Sequence, residues 1–130
     1  MDGTCGVRFT RYYEATPTEV WAALTESDSL ARWLAPPGEI ELTPGGSFEL
    51  RPAGDEALAG RVREVERERL LELDWPESGS DPSIVRFELR QDGGGTVLVL
   101  DHRRIDALVG MRTMAWWGRH LQRLEGVLAR

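Results

Sequence analysis

Residues 14–36, EATPTEVWAALTESDSLARWLAP, decide the fold. Thr16 with Glu19 three residues later forms a capping box, and Pro17 takes the first helical position, where its missing N–H leaves nothing unpaired. Pro17, Val20, Trp21 and Leu24 recur at i, i+3, i+4 and i+7, so a helix starts at Pro17 with one apolar face. Ser27 or Asp28 caps a second, shorter helix in which Leu30, Trp33 and Leu34 share a face, and Pro36-Pro37 stops it. Two short helices this early must fit between one strand and everything that follows.

The strand before them is Val7–Ala15 (VRFTRYYEA), rich in β-branched and aromatic residues, with Val7, Phe9 and Arg11 along one face. After them comes a meander: Glu39–Leu42, a TPGG turn, Ser47–Arg51, a PAGDE turn, Ala57–Glu66, Arg69–Trp75, Ser83–Arg90 and Thr96–His102. The glycines of QDGGG, Gly93 to Gly95, supply the positive φ of a hairpin; no helix follows them to make a phosphate site. Leu58, Gly60 and Val62 alternate, but the next apolar residue is Val65, so a bulge is expected there. A long helix, beginning between Asp106 and Met111, ends the sequence. Its Met114, Trp117, Leu121, Leu124 and Leu128 form a stripe at steps of three and four, while Trp116 turns to the flank with Val109, Thr113 and His120. The order predicts an α+β domain: a curved antiparallel sheet of about seven strands gripping the last helix.

Composition narrows the function. At 130 residues the sequence reads as a single domain able to bury its own core. Its net charge of −6, with all 16 basic residues arginine and four of them interleaved with glutamate in RVREVERER (61–69), argues against a nucleic-acid partner. Neither a leader sequence nor a membrane-spanning apolar run is seen, and the one cysteine, Cys5, is placed in an N-terminal tail; a cytoplasmic protein is expected. Cys5, His102 and His120 lack zinc-ligand spacing, so neither a metal nor another cofactor is expected.

EATPTEVWAALTESDSLARWLAP, GGSFEL, LAGRVREVERERLLELDW, GGGTVLVLDH and WWGRHLQRLEGVL together resemble the START-like, helix-grip superfamily, also called SRPBCC or Bet v 1-like. They are most similar to homologues of the heat-shock-protein-90 ATPase activator, over about Val7 to Leu128. That resemblance implies the grip fold, a cavity between sheet and helix, and a chaperone partner in a stress response. The superfamily also includes lipid carriers, hormone receptors and polyketide cyclases.

The expected site is that cavity, an apolar pocket of about 300–1,000 Å³. Trp21, Trp33, Phe48, Leu73, Trp75, Phe87, Leu100 and Trp117 fall on inward faces, with Met111 and Met114 near the mouth. His102 faces inward if Leu98 and Leu100 do, as an acid, a base or a hydrogen-bond donor, or simply a strand-end cap. His120 is expected to face solvent, and Glu72 and Asp74 to point outward together. These residues predict binding of a small hydrophobic or aromatic molecule without catalysis, by a monomer or homodimer. The alternatives are a chaperone-associated interaction module and a cyclase- or hydratase-type enzyme using His102.

Overall fold

The computed structural model describes residues 3–52, 58–75 and 82–128. Strand β1 (Thr4–Tyr13) leads into helices α1 (Pro17–Thr25) and α2 (Ser27–Trp33). Strands β2 (Pro37–Ile40), β3 (Ser47–Leu50), β4 (Leu58–Glu66), β5 (Leu70–Trp75), β6 (Ser83–Asp92) and β7 (Gly95–Asp106) follow in succession. A 3-10 turn at Ala107–Val109 then runs into α3 (Gly110–Leu128). The seven strands make one antiparallel sheet in the order β1-β7-β6-β5-β4-β3-β2, so β1 and β2 are its two edges and α1 and α2 carry the chain between them.

The α1 start is the capping box: Thr16 Oγ1 accepts from the Glu19 amide at 3.2 Å and the Glu19 carboxylate accepts from the Thr16 amide at 3.0 Å. The second cap differs from expectation. Glu26 is the N-cap of α2 and makes no side-chain cap bond, because α2 follows α1 without a loop in which Ser27 or Asp28 could stay extended. Instead Trp33 donates its indole N–H to the Ala23 carbonyl at 2.7 Å, which fixes α2 on α1.

Cross-strand rows build the inner face. Leu71, Phe87, Leu100 and Phe9 lie side by side, as do Leu73, Val85, His102 and Val7. Trp117, Leu121 and Leu124 of α3 are fully buried against these rows. The Tyr13 hydroxyl donates to the Leu121 carbonyl at 3.3 Å, and burial raises its pKa far above the ordinary phenol value. The expected bulge is present: the register slips between Val62 and Glu64, leaving Arg63 without a partner in the ladder while Val62 still faces Leu73 and Val65 faces Leu71. Gly93 has φ +59 in the β6–β7 hairpin, as its turn requires.

Several boundaries move. Cys5 is not in a tail but inside β1, opposite Ile105, because β7 runs on to Asp106 and gives β1 a partner for three more residues than sequence suggested. Arg11 is exposed, its guanidinium 5.0 Å above the Phe9 ring. The second strand starts at Pro37 rather than Glu39, where the Arg51 amide donates to the Pro36 carbonyl. Most of the PAGDE turn lies outside the described residues.

Candidate functional site

The sequence-predicted residues do not all converge. Trp75, Phe87, His102 and Trp117 form one aromatic cluster where the end of β5 and the middle of β7 meet the first half of α3; His102 lies inside β7, four residues before its end, rather than capping it. Trp75 and Trp117 have ring centroids 5.5 Å apart, and Phe87 stands edge-on to Trp117 at 5.9 Å. Leu73 and Leu100 are fully buried beneath it. Trp21, Trp33 and Phe48 are buried in the same core without a ring contact to the cluster. Met111 and Met114 lie outside it: they are 88% and 51% exposed, because a stripe through Trp117, Leu121 and Leu124 leaves both on the outer side of α3.

Trp116 joins the cluster from the flank. Its ring is edge-on to Trp75 at 6.2 Å and to Trp117 at 4.9 Å, and it stacks on His120 at 3.8 Å. His120, expected to face solvent, is therefore buried: one turn beyond Trp116, it sits under that ring. Its Nδ1 lies 2.7 Å from the Trp116 carbonyl, to which it donates, and burial still holds its pKa below the ordinary imidazole value.

His102 is the polar centre. The Trp117 indole N–H donates to His102 Nδ1 at 2.9 Å, and Ser83 Oγ lies 2.7 Å from Nε2. An indole nitrogen only donates, so Nδ1 must carry the lone pair and the neutral ring holds its proton on Nε2. That proton goes to Ser83 Oγ, whose own hydroxyl donates to the Trp75 carbonyl at 3.2 Å. Histidine and serine at this distance would pass for a base and a nucleophile. The direction of donation is the reverse of activation: Nε2 supplies a proton to the hydroxyl and has no lone pair to take one. Burial pushes the His102 pKa down to about 4. Both ring nitrogens are thus committed to holding β5, β6, β7 and α3 together.

Ser83 was invisible to sequence reasoning because only the register reveals it: it pairs with Trp75, two residues from Val85, which faces His102. Beside Trp75 a recess of about 170 Å³, bounded also by Phe48, Leu50, Leu58, Gly60 and Asp74, is too tight to hold a water molecule.

The outer face carries a different chemistry. Glu72 and Asp74 point outward as expected, but Glu72 is 5% exposed and lies under arginines. Arg63 Nε and Arg86 Nη1 reach its carboxylate at 3.1 and 2.8 Å, with Arg103 at 3.4 Å, and Arg63 also pairs with Asp74 at 3.0 Å. Burial works to raise the Glu72 pKa, and the bonds from Arg86 and Arg63 overcome it, so the carboxylate stays below its ordinary range. A cleft of about 680 Å³ on this side runs along the β4–β5 turn, and its walls include the ion pairs Arg69–Glu66 and Arg86–Glu88. Among the described residues no cluster of histidine, cysteine, aspartate or glutamate could hold a metal ion, and no helix is long and apolar enough to cross a membrane.

Comparison with known proteins places this arrangement. CalU16 from Micromonospora echinospora is 27% identical, with a TM-score of 0.83 over 95% of this chain and 76% of that one. The protein encoded by gene BPP1335 of Bordetella parapertussis is 33% identical, with a TM-score of 0.80 over 95% of this chain and 74% of its own. The Aha1 dimer from Colwellia psychrerythraea, 17% identical, has the same fold, with a TM-score of 0.80 over 95% of this chain and 96% of its own. No curated protein matches. Residues 14–129 match the family described as Activator of Hsp90 ATPase homolog 1-like protein. With that match across nearly its whole length and a sheet wrapped round its last helix, the chain belongs to the Activator of Hsp90 ATPase homolog 1-like family of the START-like, helix-grip superfamily.

Proposed function

We propose that this protein binds a small hydrophobic or aromatic molecule between the sheet and α3, as a cytoplasmic carrier or sensor that performs no chemistry on it. The observation that carries the reading is the cluster of Trp75, Trp116, Trp117 and Phe87, four aromatic rings at one end of the grip. Trp117 is sealed, whereas Trp116 is only half-buried and is held by stacking on His120 rather than by a hydrogen bond from its own ring. Swinging Trp116 aside would expose the Trp75 ring to a planar guest, which regains in stacking what the displaced ring gives up. Saturable binding of an apolar aromatic probe, 1-anilinonaphthalene-8-sulfonate, is expected, with tryptophan emission changing in step. Trp116→Ala should alter the affinity at least several-fold in a folded protein. An absence of saturable binding, together with an empty protein in native mass spectrometry after purification from its own host, would sink the proposal.

The family match favours a second reading, a helper of a heat-shock-protein-90-type chaperone. Stimulation of the cognate chaperone's ATPase by this protein would support it, and no response would remove it. An enzymatic role for His102 draws no support from a ring whose Nδ1 accepts from Trp117 and whose Nε2 donates to Ser83.

A further inference from the structure

The outward face of a helix that packs on a sheet is normally polar. Here it is apolar at the start of α3. Leu108 is 92% exposed, Met111 88% and Met114 51%, and Ala107 and Ala115 beside them are exposed too. Within α3, at about 100° per residue, Met111 and Ala115 lie about 40° apart and Met114 about 60° from Met111, and Leu108 precedes them in the 3-10 turn. Arg112 and Arg119 run along the other flank, both exposed, and Arg104 is exposed just before the turn. From Arg103 to Arg123 the sequence holds five arginines, of which Arg103 is paired with Glu72 on the outer face of the sheet, against one acid, Asp106, in a chain whose net charge is −6. A protruding apolar tip flanked by the exposed Arg104, Arg112 and Arg119 in an otherwise acidic molecule is therefore a local reversal of both polarity and charge.

We propose that this face docks on the surface of a bilayer bearing anionic headgroups, with Leu108 and Met111 entering the interface and Arg104, Arg112 and Arg119 meeting the phosphates. The charge sign selects the partner: a second copy would bring the same arginines against these and be repelled. Shape decides the rest. Side chains this exposed stand out from the surface instead of lining a groove, and a fluid interface accepts protrusions without a complementary hollow. A peripheral contact of this kind needs no spanning helix. It stands apart from the identity of any cargo, since none of these residues belongs to the aromatic cluster.

The test is co-sedimentation of the purified protein with vesicles of phosphatidylcholine alone and of phosphatidylcholine with phosphatidylglycerol. Binding to the anionic vesicles only, weakened by raising salt from about 50 to about 500 mM, roughly a threefold change in screening length, is the expected result. The double substitution Leu108→Asp, Met111→Asp should lower the partition coefficient by about tenfold or more without altering the circular dichroism spectrum, because both residues are solvated. Equal binding by the double variant, or no sedimentation with anionic vesicles at millimolar lipid, would overturn the proposal. So would a wild-type dimer in analytical ultracentrifugation that the double variant converts to monomer, since the face would then serve a second copy.

Discussion

Replacing His102 with glutamine should change how stability responds to acid far more than it changes stability at neutral pH. His102 is neutral in the folded protein, where Nδ1 accepts from Trp117, and protonating that nitrogen would break the bond and bury a charge. Its pKa falls from 6.5 to about 4 on folding, through burial. Between those values the unfolded chain holds a proton that the native state refuses, so unfolding free energy rises with pH across the window. The contribution is fully present above about pH 6.5 and is lost as pH falls towards 4. At about 1.4 kcal/mol per pH unit, it comes to about 3 kcal/mol. Glutamine can donate its amide to Ser83 and does not titrate. His120 contributes in the same direction, since its pKa is also lowered, but equally in both proteins. Glu72, a carboxylate held below its ordinary range, adds its loss only below about pH 4.5. Urea unfolding followed by tryptophan emission at pH 7.5, 6, 5 and 4.5 would measure both curves. The wild type should lose about 2–3 kcal/mol more than His102→Gln between pH 7 and 4.5. Parallel curves would refute the neutral, buried state assigned to His102.

Other substitutions probe the remaining supports. Trp117→Ala removes a fully buried ring together with the donor to His102 and should cost about 3–5 kcal/mol in urea unfolding. Glu72→Ala leaves Arg63, Arg86 and Arg103 facing one another across an emptied site; a loss of about 2 kcal/mol is expected, reduced from the fully buried case because the arginines reach solvent. Gly60→Ala should lower the melting temperature by several degrees, since its Cβ would press on the Asp74 carbonyl across the β4–β5 ladder; about 1–3 kcal/mol of strain is expected. Thr16→Ala should cost about 1 kcal/mol through the lost cap of α1, and an unchanged transition would mean that Glu19 alone supports that end.

Local signals made most of the fold legible. A capping box, a proline pair and a break in alternation at Val65 each act within a few residues, and each marks a feature the structure contains. What escaped was set by pairing. The extension of β7 to Asp106 depends on β1 arriving beside it, and the burial of His120 depends on which side of Trp116 meets Trp75. The site divides the same way. Inward residues on β5, β6 and β7 follow from a period of two, but Met114, three positions before Trp117, stands about 60° round the helix from it and Met111 about 120°, which leaves both exposed. Ser83, which completes the His102 network, has no signal of its own before the strands are in register.

The slip at Arg63 bears on how this chain can change length. A residue removed from the middle of a pleated strand normally turns every later side chain to the opposite face. Arg63 is not counted by the ladder, since Val62 faces Leu73 and Glu64 faces Glu72. Its deletion would leave Val62 and Val65 inward and Glu64 outward in plain alternation, losing two ion pairs and some twist but no core contact. The same deletion at Val62 or Val65 would take a valine from the core, so the codon for Arg63 is where this strand can absorb a one-residue loss across descent.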